Sequence, residues 1–302
     1  MYKKAALLVI ALAAAAMFLA LPAWPGTVPA SIVPDGARWV AHLDMERFVS
    51  SKLYEYLDKD GRFMVKSRDI THWLKIDVPK DIAGLTVFGL GAGEKQAVFA
   101  IAGKFDQKRL LTLLSLTDDY QESSYGGYTL HSTGDGVGVF VNDGLIVYSE
   151  SREAVEKVLD TAAGKAKNFA GSKLNAAFKA IPPGAFFGAV VEDLTGLGRE
   201  ISQSKLVEKA SGLFFMAQEK DDNLQVSAQV TADSPESAAN MADIVQGFMA
   251  LGRMSDDPDF TSLLVGLQVK VEGKTVRMEF NRPSREIAGL IGRGRMPHGF
   301  FN

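Results

Sequence analysis

Apolar and polar positions along the chain alternate with two different periods, and the changes between them mark out the elements. The stretch Ala37–Asp44, "ARWVAHLD", is a run of aromatic and β-branched residues entered through a Pro/Gly turn, the signature of a strand. "SKLYEYLDKDG" follows with Leu53, Tyr54 and Leu57 at helical spacing and predicts a helix stopping at Gly61. "LTVFGLG" and "AVFAIAGK" predict two strands joined by "AGEKQ". A helix from Asp106 then carries Leu110, Leu111, Leu113 and Leu114 on its buried side. "GVGVFVNDG" and "LIVYSES" alternate at period two about a Gly turn.

The second half repeats this grammar. "PPGAFFGAVVE", Pro182 to Glu192, echoes "PDGARWVAHLD", Pro34 to Asp44. "GLFFMA" from Gly212 echoes "GLTVFG" from Gly84. "VSAQVTADSPESAA" echoes "VFAIAGKFDQKRLL", setting Asp233 opposite Asp106, and "SREIAGLI" from Ser284 echoes "SREAVEKVL" from Ser151. Any one echo carries no weight; four in a common order argue for two copies of one unit. "LGREISQSKLVEKASG" predicts the second copy's first helix, ending near Gly212. Ser234 supplies the cap and Pro235 the first position, with Asp233 three before Glu236, for a long amphipathic helix through "MADIVQGFMAL". "LQVKVEG" and "KTVRMEF" close the unit as a hairpin.

The fold class expected is therefore α+β: two tandem strand-helix-hairpin-helix-hairpin units, with mainly antiparallel sheets and helices packed on one face. The units span residues 34–164 and 182–292, with a linker at 165–181 and a flexible tail at 293–302. The first copy carries about twenty extra residues between its first helix and second strand, containing "RDITHWLKIDVPK". Insertions in a scaffold fall on loops, and loops carry specificity, so His72 and Trp73 are the first candidates for a ligand or partner surface. The competing reading is a Trp pinning an irregular segment to the core.

The N-terminus supplies an address. "MYKK" is a positive leader start, and Ala5–Leu21 is an uncharged Ala/Leu-rich run broken by Pro22. This predicts a signal peptide of residues 1–23, with 30 as the alternative end, and hence a periplasmic or secreted protein. A retained inner-membrane anchor is the alternative, because about 17 apolar residues is the lower limit for spanning a bilayer. The membrane is then a partner only through this segment, if it stays uncleaved.

Charge and composition remove several function classes. The chain has a net charge of −3, and losing Lys3 and Lys4 with the leader takes it to −5. Without a basic stripe the counterion-release gain of nucleic-acid binding is missing, so no nucleic acid is expected. There are no cysteines, which excludes disulfides, thiolate metal sites and a cysteine nucleophile. The four histidines are scattered without ligand spacing, and no cofactor or metal is expected.

The remaining motifs favour ordinary roles. "GLGAGEK", Gly89 to Lys95, leads into a strand rather than a helix, so it reads as a hairpin connection and not a phosphate loop. "SQSK", Ser202 to Lys205, has Ser-x-x-Lys spacing, but the Ser-Asp-Asn and Lys-Thr-Gly companions are missing. "DKDG" at Asp58–Gly61 has its Gly two positions early for a calcium loop, and "DDPD" at Asp256–Asp259 reads as a solvated acidic turn. Asp44 and Glu192 end equivalent strands; capping the next helix is the preferred role, and an acid/base pair across a pseudo-twofold axis is the alternative.

The leader followed twice by a "P-x-G-A…A…(D/E)" strand, an amphipathic helix and hairpins resembles duplicated-domain envelope proteins of unknown function from bacteria. The resemblance implies export and repetition and brings no active-site residues. The functional expectation is a non-enzymatic binding or scaffold module of the cell envelope whose partner is an envelope protein or a small ligand. A secreted hydrolase with an unrecognised arrangement is the alternative.

Overall fold

The period-two segments all become strands of one sheet. The computed structural model of the chain describes residues 30–59, 76–90, 97–192, 194, 208–256 and 258–292. The strands are β1 (Trp39–Asp44), β2 (Ile82–Gly89), β3 (Ala97–Gly103), β4 (Gln121–Tyr125), β5 (Tyr128–Thr133), β6 (Gly136–Asn142), β7 (Leu145–Ser149), β8 (Ala185–Val191), β9 (Ala210–Lys220), β10 (Asn223–Ala232), β11 (Leu267–Glu272) and β12 (Thr275–Pro283). Their order is β11-β12-β10-β9-β8-β1-β2-β3-β7-β6-β5-β4, with antiparallel pairing at each described contact. The two halves thus share a single twelve-stranded sheet. Their seam is the β1–β8 ladder, where Ala41 faces Ala189 and Val40 faces Val190.

The helices are α1 (Met45–Val49), α2 (Lys52–Leu57), α3 (Val78–Asp81), α4 (Gln107–Leu114), α5 (Arg152–Ala162), α6 (Lys173–Lys179), α7 (Pro235–Arg253), α8 (Pro258–Val265) and α9 (Ser284–Gly292). They begin where short polar side chains can take up free amides. Asp44 accepts from Arg47 N, Ser51 from Tyr54 N, Asp106 from Arg109 N, Ser151 from Ala154 N and Ser234 from Ser237 N. The α2 helix ends at Leu57, short of the expected stop at Gly61, which lies outside the described residues.

One expectation fails: the helices do not share a face. Strand alternation separates two cores. Val40, Phe88, Val98 and Val190 point to one side, where Val155, Val158 and Leu159 of α5 and Leu174 and Phe178 of α6 cover them. Leu43, Leu85 and Phe187 point to the other, against Met45, Phe48 and Leu53 of α1 and α2 and Ile287, Ala288 and Leu290 of α9. The central strands are therefore buried on both sides, and β8 reads "AFFGAVV" with no polar side chain at all. On the second side, α7 forms a separate cluster through Ala238, Met241 and Ala242 against Ala232 and Val276.

The segment read as a linker, 165–181, is a structural part of the first core. It carries a 3-10 turn at Phe169–Gly171 and α6, and Phe169, Leu174, Phe178 and Ile181 are buried. Pro34 bridges to Asn168, and Phe169 N donates to Val33 O, so the start of the first half is tied to this segment.

Candidate functional site

Reactive side chains near the seam are turned inward. His42, on β1, is 2% exposed, and its Nδ1 lies 2.7 Å from Thr86 Oγ1 on β2. Burial pushes its imidazole down to about 3, so the ring is neutral throughout the physiological range. Asp44 is buried at the end of β1 and caps α1 through Arg47 N at 2.9 Å. Burial raises its carboxyl above the usual range, while the bonds from Arg47 oppose the rise. Glu192 lies at the other end of the β1–β8 ladder, its N–H donating to Arg38 O. Six residues of strand separate the two acids, about 20 Å, so the acid/base pair across the axis is excluded and the capping role of Asp44 holds.

A second polar cluster sits on the outer hairpin. Tyr120 Oη donates to Glu122 Oε1 at 2.5 Å and lies 2.9 Å from His131 Nδ1, the two rings stacked with centroids 6.1 Å apart. Burial and then the Glu122 bond push the Tyr120 phenol up to about 12. Burial also lowers His131, against the pull of the Glu122 charge. A phenol held protonated and an imidazole held neutral brace the β4–β5 pair. The same hairpin is strapped to α5 by Arg152 to Ser123 at 2.8 Å and Tyr125 to Asp160 at 2.8 Å.

The third cluster joins the halves. Glu219 on β9 accepts from Lys52 N at 2.6 Å and Leu53 N at 2.9 Å, the open end of α2, and from Ser284 Oγ at the start of α9. One carboxylate thus meets the positive ends of two helices, one from each half.

Unsatisfied surface is found on α7. This helix buries Ala238, Met241, Ala242, Met249 and Gly252 but leaves Ile244 39%, Phe248 70%, Leu251 68% and Met254 80% exposed. With 100° per residue, the exposed Ile244, Phe248 and Leu251 form a stripe flanking the buried face, so the apolar arc is wider than the sheet beneath it can cover. Val265 at the end of α8 adds to the exposed apolar surface. Stripes of this kind on a folded domain mark interaction surfaces.

The surface candidates His72 and Trp73, "SQSK" and most of "GLGAGEK" lie outside the described residues. Gly89 itself is the last residue of β2, with the Trp39 indole packed against its α-carbon. Among the described residues no group of three or more potential ligands gathers for a metal ion, and no helix is long and apolar enough to cross a membrane. Sequence reading found α7 but not its open flank, because the period shows how many positions are apolar and not which of them a neighbour covers. The available signal was the surplus: Ile244, Phe248 and Leu251 in addition to a complete buried set.

No protein-family model matches the chain, and no curated protein matches it. Among solved structures it is similar to crystal form I of TP0453, with 10% identity over 89% of this chain and 99% of that one and a TM-score of 0.50. Crystal form III gives 10% identity, 89% and 100% coverage and a TM-score of 0.46; form IV gives 8%, 89% and 99%, and 0.47. The likeness to form I is one of fold.

Proposed function

We propose that the chain is an exported, non-enzymatic module of the cell envelope, made of two copies of one α+β unit, that acts by docking a partner. The duplication rests on two independent orders. Four sequence echoes run collinearly, and outward from the seam the strands run β8-β9-β10-β12-β11 on one side and β1-β2-β3-β7-β6 on the other. Equivalent strands in matching order, with Ala41 facing Ala189 at the centre, are what two copies about a local twofold produce; the closing helices α5 and α9 lie on opposite faces and do not follow it. Export rests on the leader pattern of residues 1–23.

The observation that carries the functional reading is a contrast. His42, Asp44, Tyr120 and His131 have shifted proton affinities, and each shift comes mainly from burial in a bonded structural position. The apolar stripe of α7, by comparison, is exposed among the described residues. Two measurements test the reading. Intact mass of the protein recovered from the envelope fraction should show loss of residues 1–23 or 1–30; retention in the cytoplasm overturns export. Ester, amide and glycoside substrates should show no turnover above that of unfolded protein; a reproducible activity lost on substitution of Ser202 and Lys205 overturns the docking reading in favour of a hydrolase.

A further inference from the structure

The mild negative charge of the whole chain conceals a local excess of the opposite sign. Between Thr161 and Val191 stand four lysines and no acid. This stretch runs from the end of α5 through α6, and both helices cover the same side of the sheet, so their exposed residues share the outward surface of that side. The α6 helix buries Leu174, Asn175 and Phe178 and exposes Lys173, Ala176 and Lys179. On α5, Lys157 is exposed, and its Nζ lies 3.3 Å from the place a Cβ on Gly36 would take. Lys167 is exposed too, and its carbonyl accepts from Asp35 N at 3.0 Å, so Lys157 and Lys167 meet at the turn that leads into β1. Lys165 is in an ion pair with Asp160 at 3.5 Å; Lys157, Lys167, Lys173 and Lys179 are in none among the described residues. Asp35, exposed beside Lys167, offsets one of these four charges.

Two features say what this surface meets. The first is its composition. The exposed positions beside the lysines of α6 are Ala176 and Ala180, with no aromatic ring to stack on a base and no large side chain to fill a partner's pocket. Lysine is a flexible point charge, where arginine would make fixed paired bonds to a chosen carboxylate. Point charges on a small-residue surface match a plane of anionic headgroups, which attracts them without being entered. The second feature is position. The described residues begin at Ala30, and Ile32 and Val33 are buried in the core that α5 covers. The apolar run Ala5–Leu21 stops nine residues before Ala30, a reach of at most about 30 Å. The segment read as a leader or anchor therefore joins the fold at the basic surface.

We propose that the outward surface of α5 and α6, through Lys157, Lys167, Lys173 and Lys179, docks the protein electrostatically on an anionic phospholipid surface. This adds a second surface to the docking reading and does not depend on the stripe of α7, which lies on the other side of the sheet.

The protein in the form recovered from the envelope fraction is tested on vesicles of phosphatidylcholine with and without about 30% phosphatidylglycerol. Each of Lys157→Gln, Lys167→Gln, Lys173→Gln and Lys179→Gln should weaken partition onto the anionic vesicles about fivefold, and the quadruple variant several-hundred-fold. K173R/K179R should bind as the parent does, since the charge is kept. Lys209→Gln, beside the start of α7 and paired with Asp233, should change nothing. Raising salt from about 50 mM to about 0.5 M should remove the lysine-dependent binding, because the screening length falls to about 4 Å. All these lysines are exposed, and unchanged thermal melting confirms that the variants fold. With no native cysteine, a nitroxide can be placed alone at Ala176→Cys or at Ala239→Cys, both exposed. On anionic vesicles doped with a nickel-chelating lipid, relaxation of the label at 176 should be enhanced and that of the label at 239, on α7, should not. The labels read the contact equally well in a form that enters neutral vesicles through a retained leader. No enhancement at 176, equal enhancement at both sites, or a quadruple variant that binds as the parent does overturns the inference. Tighter binding to polyglutamate or duplex DNA than to the vesicles at matched charge also overturns it, by giving the surface to an acidic protein or to nucleic acid. The export and turnover tests of the broader reading stand or fall separately from these results.

Discussion

His42 Nδ1 lies 2.7 Å from Thr86 Oγ1, and the pair sits between β1 and β2 beside the seam that joins the two halves of the sheet. Because the fold pushes the imidazole down to about 3 from its ordinary 6.5, protonation opposes folding. The stability this ring contributes is complete above pH 6.5 and is lost as pH falls from 6.5 toward 3, by about 1.4 kcal/mol per pH unit. Asp44, whose carboxyl is raised, works in the opposite direction on acidification. His42→Asn keeps a partner for Thr86 and removes the titration. The stability difference between parent and variant, from urea unfolding, should change by about 2 kcal/mol between pH 7.5 and pH 5.0. A difference that does not vary with pH would show that the ring is solvated.

Glu219 ties α2 to α9 across the halves, so its removal should be felt at both helix starts. Glu219→Ala should cost about 2 kcal/mol, more than the roughly 1 kcal/mol of a single lost cap, because two backbone amides and a hydroxyl lose one acceptor. Hydrogen exchange should show faster opening of the first turns of α2 and α9 together. Exchange confined to α2 would mean that Ser284 finds another partner.

The β9–β10 turn is built from Asp221 and Asp222 at φ of 52° and 59°, a left-handed pair that favours Asn-Gly. Asp222→Gly removes the Cβ strain and leaves the Asp222 carbonyl free to accept from Ser284 N. The substitution should stabilise the protein by about 0.5–1 kcal/mol in thermal or urea unfolding. Loss of stability would show that the Asp222 side chain contributes more than the strain it carries.

Much of this fold is legible as pattern. β1 and β8 follow from aromatic and β-branched runs entered through a Pro/Gly turn, the two closing hairpins from alternation about a Gly turn, and α7 from Ser234 and Pro235. The sides of the sheet were not legible, because a strand's alternation fixes two faces without saying which helix returns to which. The β4–β5 hairpin was missed although Gly126 and Gly127, at φ of 59° and 90°, form a two-residue turn between Tyr125 and Tyr128. The burial of 165–181 was missed for a different reason. Ser172, Leu174 and Phe178 have cap and i, i+4 spacing, yet a short Lys- and Ala-rich stretch between two strong units reads as a spacer until the core that needs it is seen. The exposed stripe of α7 lay in the same blind spot as the faces, since coverage is a tertiary property.

Trp39 and Gly89 face each other across β1 and β2, and the indole occupies the space a side chain at 89 would need. A Cβ built there lies 2.1 Å from Trp39 Nε1 and 2.5 Å from Cε2, closer than any real contact. Gly89→Ala must therefore rotate the ring off the strand, exposing its apolar face and costing about 1–2 kcal/mol. In a Trp39→Ala background the obstruction is gone, and Gly89→Ala should become neutral or slightly stabilising through the lower entropy of the unfolded chain. A double-mutant cycle by urea unfolding should thus give an interaction energy of at least about 1 kcal/mol. Additive effects would show that glycine at 89 serves its own backbone geometry and not the ring of Trp39.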